Sequence, residues 1–331
     1  MITFSKTITN RIDWIDSLRG FAILLVIIGH LIQFNYYTSI ENDIFNVIYS
    51  FHMPLFFFIS GVCASYSKEI KNFGELWKYG LKKFLQLIVP SITWTILIPL
   101  FFAKDLEILL KTDSISSFWF LNVLFAVYII WGIYLYMEYK IPNRKYVIIG
   151  TFILWCIFFA IDFKRISLMY FALFAFGYFY HSTQISILKN KYLPSTLIVV
   201  FLLCCGMFEY GTNIISQANR IWMEFPLSVI ASILLAEFFK SINKGKLYNI
   251  LNYIGKYTLG IYLCHFIFIH IKGLHYIETT TDKLSQFIIL FAISILIAFG
   301  CILIQKIIEP FTLLYRCMYG KWNLPSILLG K

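Results

Sequence analysis

Charge is what this chain has little of. Only 14% of its 331 residues are Asp, Glu, Lys or Arg, while 60% are hydrophobic and 19% aromatic. A water-soluble core of this size does not require so apolar a composition, which sets aside the ordinary soluble globular classes. Metal-ligand spacing is missing as well. The seven cysteines (Cys63, Cys156, Cys204, Cys205, Cys264, Cys301, Cys317) lie in or beside apolar runs, with no Cys-x-x-Cys pair and no His/Cys cluster at zinc spacing. They read as small core residues, and no metal cofactor is expected. Linkers, low-complexity stretches and internal repeats are also lacking, so a single membrane-embedded domain over residues 1–331 is expected, without the repeat signature of a secondary transporter. The first apolar run is too long for a removed secretory signal and has no small-residue cleavage site behind a short apolar core.

What the chain does have is apolar runs of about 17 to 25 residues, each long enough to cross a hydrocarbon core of roughly 30 Å. They fall at 18–37, 44–66, 84–103, 118–137, 146–162, 166–181, 193–211, 221–240, 250–271 and 284–305. The fold class this predicts is all-α, a polytopic helical bundle of about ten transmembrane helices with the bilayer as its solvent. The net charge of +11 would suggest nucleic acid in a soluble protein, but here the cations sit in short loops and read as a topology signal. With the N-terminus in the cytoplasm, only Lys104, Lys111, Lys164, Arg165, Arg220, Lys272 and Lys283 fall in outer loops, so both termini are expected inside. The tail after Gln305, with Glu309, Pro310, Arg316, Lys321 and Trp322, is amphipathic and suits the cytoplasmic interface.

Ionisable groups inside apolar runs are costly, and each is a candidate for function. His30 follows Arg19 by eleven positions, close to three helical turns, so both project from one face roughly 16 Å apart. Asp16 and Asp13 stand about one and two turns before Arg19 and can fix its direction. On the second run, His52 precedes Pro54, which removes a backbone donor and predicts a kink. Counted at about 1.5 Å per residue from opposite edges, His30 and His52 share a depth. Lys82 and Lys83 join Arg19 at the cytoplasmic mouth, where cations suit the phosphates of a cytosolic donor. The bland alternatives are a helix-packing role for the histidines and a purely topological one for the lysines.

These stretches resemble acyltransferase family 3. The resemblance rests on Asp16-x-Leu18-Arg19-Gly20 with His30 after ten intervening residues, on Met53-Pro54-Leu55-Phe56-Phe57-Phe58-Ile59-Ser60-Gly61, and on Trp119-Phe120-Leu121. Later echoes run from Gly255-Lys256-Tyr257-Thr258-Leu259-Gly260 to His265, and at Glu309-Pro310. The resemblance implies a membrane domain of about ten helices that takes an acyl group, most often acetyl, from a cytoplasmic acyl-coenzyme A to a hydroxyl of a cell-surface glycan or its lipid-linked precursor. It implies that Arg19 and His30 are essential and that the protein resides in a bacterial cytoplasmic membrane. Family members often carry further arginines before the third span, where this chain has Lys83-Phe84-Leu85-Gln86.

The mechanism expected from these residues is acyl transfer with His30 as general base towards the acceptor hydroxyl, or as transient carrier of the acyl group, while Arg19 holds the donor. Asp16, His52, Ser60 and His265 are supporting candidates, and Lys82 and Lys83 further donor contacts. Acetyl-coenzyme A serves as substrate, no bound cofactor is expected, and the partners are the acceptor glycan and the bilayer, with no nucleic acid. An exporter of a saccharide or lipid-linked intermediate, using Glu209, Glu224 and Glu237 along its path, is the alternative from another class. A non-catalytic subunit of a surface-polysaccharide machine is a third. Turnover of labelled acyl-coenzyme A separates the enzyme from both.

Overall fold

The structure, a computed structural model, describes residues 11–38, 42–102, 118–162, 166–182, 217–242 and 244–322. It is helical throughout, with no strand among the described residues. Helix α1 (Asp13–Asn35) and α2 (Asp43–Ala64) are followed by α3 (Phe73–Lys83), which passes through a π-helical turn at Phe84–Ile88 into α4 (Val89–Phe102). Then come α5 (Trp119–Lys140), α6 (Arg144–Asp162), α7 (Ile166–Ser182) and α8 (Gln217–Ser241). The C-terminal part holds α9 (Lys246–Gly255), α10 (Thr258–Cys264) with a 3₁₀ turn at His265–Ile267, α11 (His275–Thr280), α12 (Lys283–Ile308) and α13 (Thr312–Tyr319).

Among the described residues, five helical stretches are long and apolar enough to cross a bilayer: Asp13–Asn35, Asp43–Ala64, Phe73–Ile98, Trp119–Lys140 and Lys283–Ile308. The expected seventh span, 193–211, and Glu209 lie outside the described residues. Local chemistry sets the helix starts. Asn42 accepts the Phe45 N–H (3.1 Å), Asn72 accepts the Glu75 N–H (2.9 Å), and Asp282 accepts from Leu284 (3.1 Å) and Ser285 (3.2 Å), each satisfying donors that the first turn leaves open. Two helices differ in extent from the expected spans. The third helical run starts at Phe73 rather than 84, because the amphipathic α3 adds more than two turns before the apolar stretch. The run 250–271 is not one helix. It stops at Gly255, restarts at Thr258 and unwinds after Cys264, and non-helical backbone at membrane depth is tolerated where it borders a cavity, as this break does.

The helix α1 is central, with Leu18, Ala22, Ile23, Leu24, Ile27, Ile28, Leu31 and Ile32 all inaccessible, and it packs against α2, α8, α9, α10 and α12. Two close crossings depend on missing side chains. A Cβ on Gly20 would lie 1.9 Å from the Leu251 carbonyl oxygen and one on Gly255 would lie 1.7 Å from that of Asp16, so α1 and α9 touch backbone to backbone. Gly61 and Gly177 do the same for α2 and α7, against the Phe174 and Phe58 carbonyls. Polar ties fix the register. Asn252 Nδ2 donates to the Asp13 carbonyl (3.0 Å), and Lys244 pairs with the Asp13 carboxylate (2.5 Å). At the other end of α1, Asn35 donates to the Ile269 carbonyl (2.8 Å) and accepts from the Ile271 N–H (3.0 Å), which clamps the segment after α10 onto α1.

Candidate active site

The motif glycines decide where a cavity forms. Since α9 lies flush on α1 at Gly20 and Gly255, the broken stretch from Gly255 to Gly260 is held beside Arg19, and the space between it, α2, the π-helical turn after α3 and α5 stays open. This cavity of about 380 Å³ is lined at one end by Arg11, Arg19, Lys83, Lys256 and Lys321, and no described carboxylate lines it. Towards the other end stand Phe56, Phe120, Leu121 and Tyr262, with Phe120 and Tyr262 in edge contact at 5.4 Å. Ser60, Tyr128, Gln305 and Tyr319 supply neutral polar groups between. The arrangement is suited to a long molecule with an anionic head and an apolar, uncharged tip.

Arg19 is fixed from two sides. Its Nη1 lies 3.4 Å from Asp16 Oδ1 and its Nη2 donates to Cys63 Sγ at 3.0 Å. Asp16 is buried and also pairs with Arg11 (3.4 Å), so one carboxylate orients two guanidinium groups at the mouth. Lys83 Nζ sits over the Tyr128 ring at 3.6 Å and borders the cavity. Its neighbour Lys82 is exposed and does not line it. Ser60 lines the wall, and its carbonyl accepts the Tyr128 hydroxyl at 3.4 Å.

Beyond the Tyr262 end lies a cluster of imidazoles. His30 stacks on His265 with ring centroids 5.2 Å apart, and His265 is 6.0 Å from the Tyr262 ring. His265 Nδ1 donates to the Tyr262 carbonyl (2.7 Å), leaving its buried Nε2 without a partner among the described residues. His30 is half-buried, and its Nδ1 lies 3.0 Å from Gln33 Oε1. That oxygen, which also accepts the Tyr49 hydroxyl (2.7 Å), can only accept, so Nδ1 carries the proton and Nε2 holds the lone pair. His52 is buried, turned to the Ile48 carbonyl (2.8 Å), with its ring 4.7 Å from that of Tyr49. Tyr49 and His265, rather than His52, face His30.

The structure therefore brings Arg19, Ser60 and Lys83 to the cavity, with Asp16 held against Arg19 outside its lining, and places His30, His265 and His52 beyond its apolar end, while Lys82 stands apart. Cys63, Tyr128, Tyr262, Gln33 and Tyr49 enter the site although the sequence reading passed over them. A helical signal was present for most: Gln33 follows His30, Cys63 follows Ser60, Tyr49 precedes His52 and Tyr262 precedes His265, each by three residues and so on nearly the same face. Glu237, named for a transport path, instead accepts from Lys240 (3.1 Å) and the Tyr180 hydroxyl away from the cavity. Among the described residues no group of His, Cys, Asp and Glu is arranged to hold a metal ion.

An all-helical bundle whose described part holds several helices able to cross a bilayer is the architecture of a multi-pass membrane protein. The acyltransferase domain of family 3 matches residues 12–304, and the chain belongs to this family. Nodulation protein NolL of Mesorhizobium japonicum is 33% identical over 135 residues, 37% of this chain and 35% of that protein. Nodulation protein NolL of Sinorhizobium fredii is 37% identical over 93 residues, 27% of this chain and 25% of that protein. The chain thus matches about a third or less of the length of these relatives. No solved structure matches it. Gln305, Tyr319, Gly320 and Lys321, which line the cavity, fall beyond the matched segment.

Proposed function

We propose that the protein is a membrane O-acetyltransferase that moves acetyl from cytoplasmic acetyl-coenzyme A to a hydroxyl of a cell-surface glycan or its lipid-linked precursor. The observation that carries this reading is the single line from cations to imidazole: Arg19 and Lys83 at the mouth, Tyr262 at the end, then His265 and His30. The donor's phosphates lie among the cations and its thioester points towards Tyr262. The acceptor reaches His30 from the opposite side, where Gln33 and Phe34 are exposed and Tyr49 is half-buried. The domain occupies about ten spans with both termini in the cytoplasm, in a bacterial cytoplasmic membrane.

In this reading His30 Nε2 takes the proton from the acceptor hydroxyl as the oxygen attacks the thioester carbonyl. The tetrahedral intermediate collapses with breakage of the carbon–sulfur bond, and the leaving thiolate recovers the proton from the imidazolium. The Gln33 oxygen keeps Nδ1–H in place while the ring is charged, and Arg19 restrains the donor. Tyr262 and Phe120 line the apolar end of the cavity, where the acetyl group sits in this reading.

The test is transfer of radiolabel from acetyl-coenzyme A to a total glycan and lipid-glycan extract by membranes carrying the intact protein or, at matched abundance, His30→Ala. Label with the first and a loss of about 10²-fold or more with the second is expected. Equal labelling removes His30 from the chemistry, and absence of label with either, after longer acyl donors have been tried, overturns the enzyme reading.

A further inference from the structure

The cavity contains two polar atoms whose presence the fold alone does not account for. Gln305, on α12, is 2% exposed and its Nε2 points to the Tyr315 hydroxyl (3.4 Å), but its Oε1 has no hydrogen-bond partner among the described residues. Tyr319, the last residue of α13, is 1% exposed and its hydroxyl is equally unpartnered. Both residues line the cavity. A buried acceptor or hydroxyl left unmade costs stability, and native folds rarely leave two together unless something else completes them.

The surroundings fit closely around this pair. On α10 the facing residue is Gly260, where a Cβ would lie 2.3 Å from Gln305 Oε1 and 3.2 Å from the Tyr319 ring. The C-terminal segment that carries Tyr319 is anchored firmly. Trp94 Nε1 donates to the Met318 carbonyl (2.9 Å), and Gly320, at φ +64°, packs so closely that a Cβ would lie 2.4 Å from the Gln86 carbonyl oxygen in the π-helical turn. Such turns are frequent at functional sites. Lys321 follows at once, among the cations of the mouth.

From this geometry we infer that Gln305 and Tyr319 form a subsite for the amides of the donor's pantetheine arm, with Gln305 Oε1 accepting an amide N–H and the Tyr319 hydroxyl donating to an amide carbonyl. The inference rests on the donor reading above. A neutral acceptor beside a neutral hydroxyl matches an amide and offers nothing to a phosphate, which the cations serve. The order of groups agrees: cations at the mouth, this pair alongside Gly260, then Tyr262, as phosphate, amide and thioester follow one another along the donor.

The experiment uses the full chain in membranes or detergent with three donors: acetyl-coenzyme A, acetyl-pantetheine, and acetyl-pantetheine analogues in which one or the other amide N–H is replaced by oxygen. The intact protein is expected to favour the amide over one of the esters by about tenfold in kcat/KM, and Gln305→Leu to abolish that preference. Tyr319→Phe is expected to raise the KM for acetyl-coenzyme A about five- to tenfold while leaving kcat near its starting value. Because Tyr319→Phe deletes a hydroxyl with no partner among the described residues, its thermal midpoint without donor should be unchanged or higher, which a purely structural role would not give. Should Gln305→Leu fail to accumulate, Tyr319→Phe carries the test alone. Unchanged KM and an unchanged amide preference in both variants would overturn the subsite while leaving the donor reading intact. No turnover of any acyl-coenzyme A by the intact protein would overturn that reading and this one with it.

Discussion

Replacing Gln33 by leucine tests how the proposed base is held. In the structure the Gln33 oxygen lies 3.0 Å from His30 Nδ1 and accepts the Tyr49 hydroxyl at 2.7 Å, so it is the contact that assigns the proton to Nδ1 and frees Nε2. A neutral bond of this kind contributes about 1 kcal/mol, but as the ring becomes imidazolium in the transition state the bond turns charge-assisted, worth about 1.5–3 kcal/mol. The difference, about 0.5–2 kcal/mol, appears in turnover, so kcat for Gln33→Leu should fall roughly 2- to 30-fold. Gln33 is exposed, and little stability should be lost with it. The assay is initial-rate label transfer at saturating donor for the intact protein, Gln33→Leu, His30→Ala and the double variant. Once the base is gone there is nothing left to orient, so the double variant should match His30→Ala rather than multiply the two losses. A Gln33→Leu rate within twofold of the intact protein, or fully multiplicative losses in the double variant, would refute the argument.

Other predictions follow from contacts outside that pair. Lys83 borders the cavity and Lys82 does not, so Lys83→Met should raise the donor KM about tenfold while Lys82→Met leaves it within twofold, as measured by initial rates against acetyl-coenzyme A. Gly20→Ala would set a Cβ 1.9 Å from the Leu251 carbonyl, and prising α1 from α9 should cost about 1–3 kcal/mol, seen as a lower thermal midpoint together with a higher donor KM. Glu278, on the outer loop by the proposed topology, receives the Tyr37 N–H (2.8 Å), the Thr38 N–H (3.0 Å) and the Thr38 hydroxyl. Burial pushes its carboxyl up, but these bonds outweigh burial and hold it below its ordinary value of 4.5. The stability it contributes is therefore full above that value and lost as pH falls through the lower one. Glu278→Gln should remove this acid dependence and about 1 kcal/mol of stability at neutral pH, the modest size reflecting a partly exposed group; an unchanged acid profile in thermal melts would count against the contact.

Much of this protein was legible in the amino-acid order because the bilayer imposes a one-dimensional rule. A stretch without charge and long enough to cross must be helical, since no water is present to satisfy its backbone. That rule is enough for an all-helical bundle and for noticing Arg19, His30, His52 and His265 as ionisable groups in costly places. Helical spacing added that Asp16 can reach Arg19, which it does. What spacing along one helix does not encode is which faces of different helices meet. The stacking of His30 on His265 depends on Asn35 clamping the chain 234 to 236 residues further on, and the turning away of His52 depends on Tyr49 occupying the space between. Likewise, a glycine in the sequence shows only freedom or smallness. That Gly20 and Gly255 bring two backbones together, and that Gln305 Oε1 and the Tyr319 hydroxyl find no partner among the described residues, are facts of packing, because steric contact between distant segments exists only once the chain has folded.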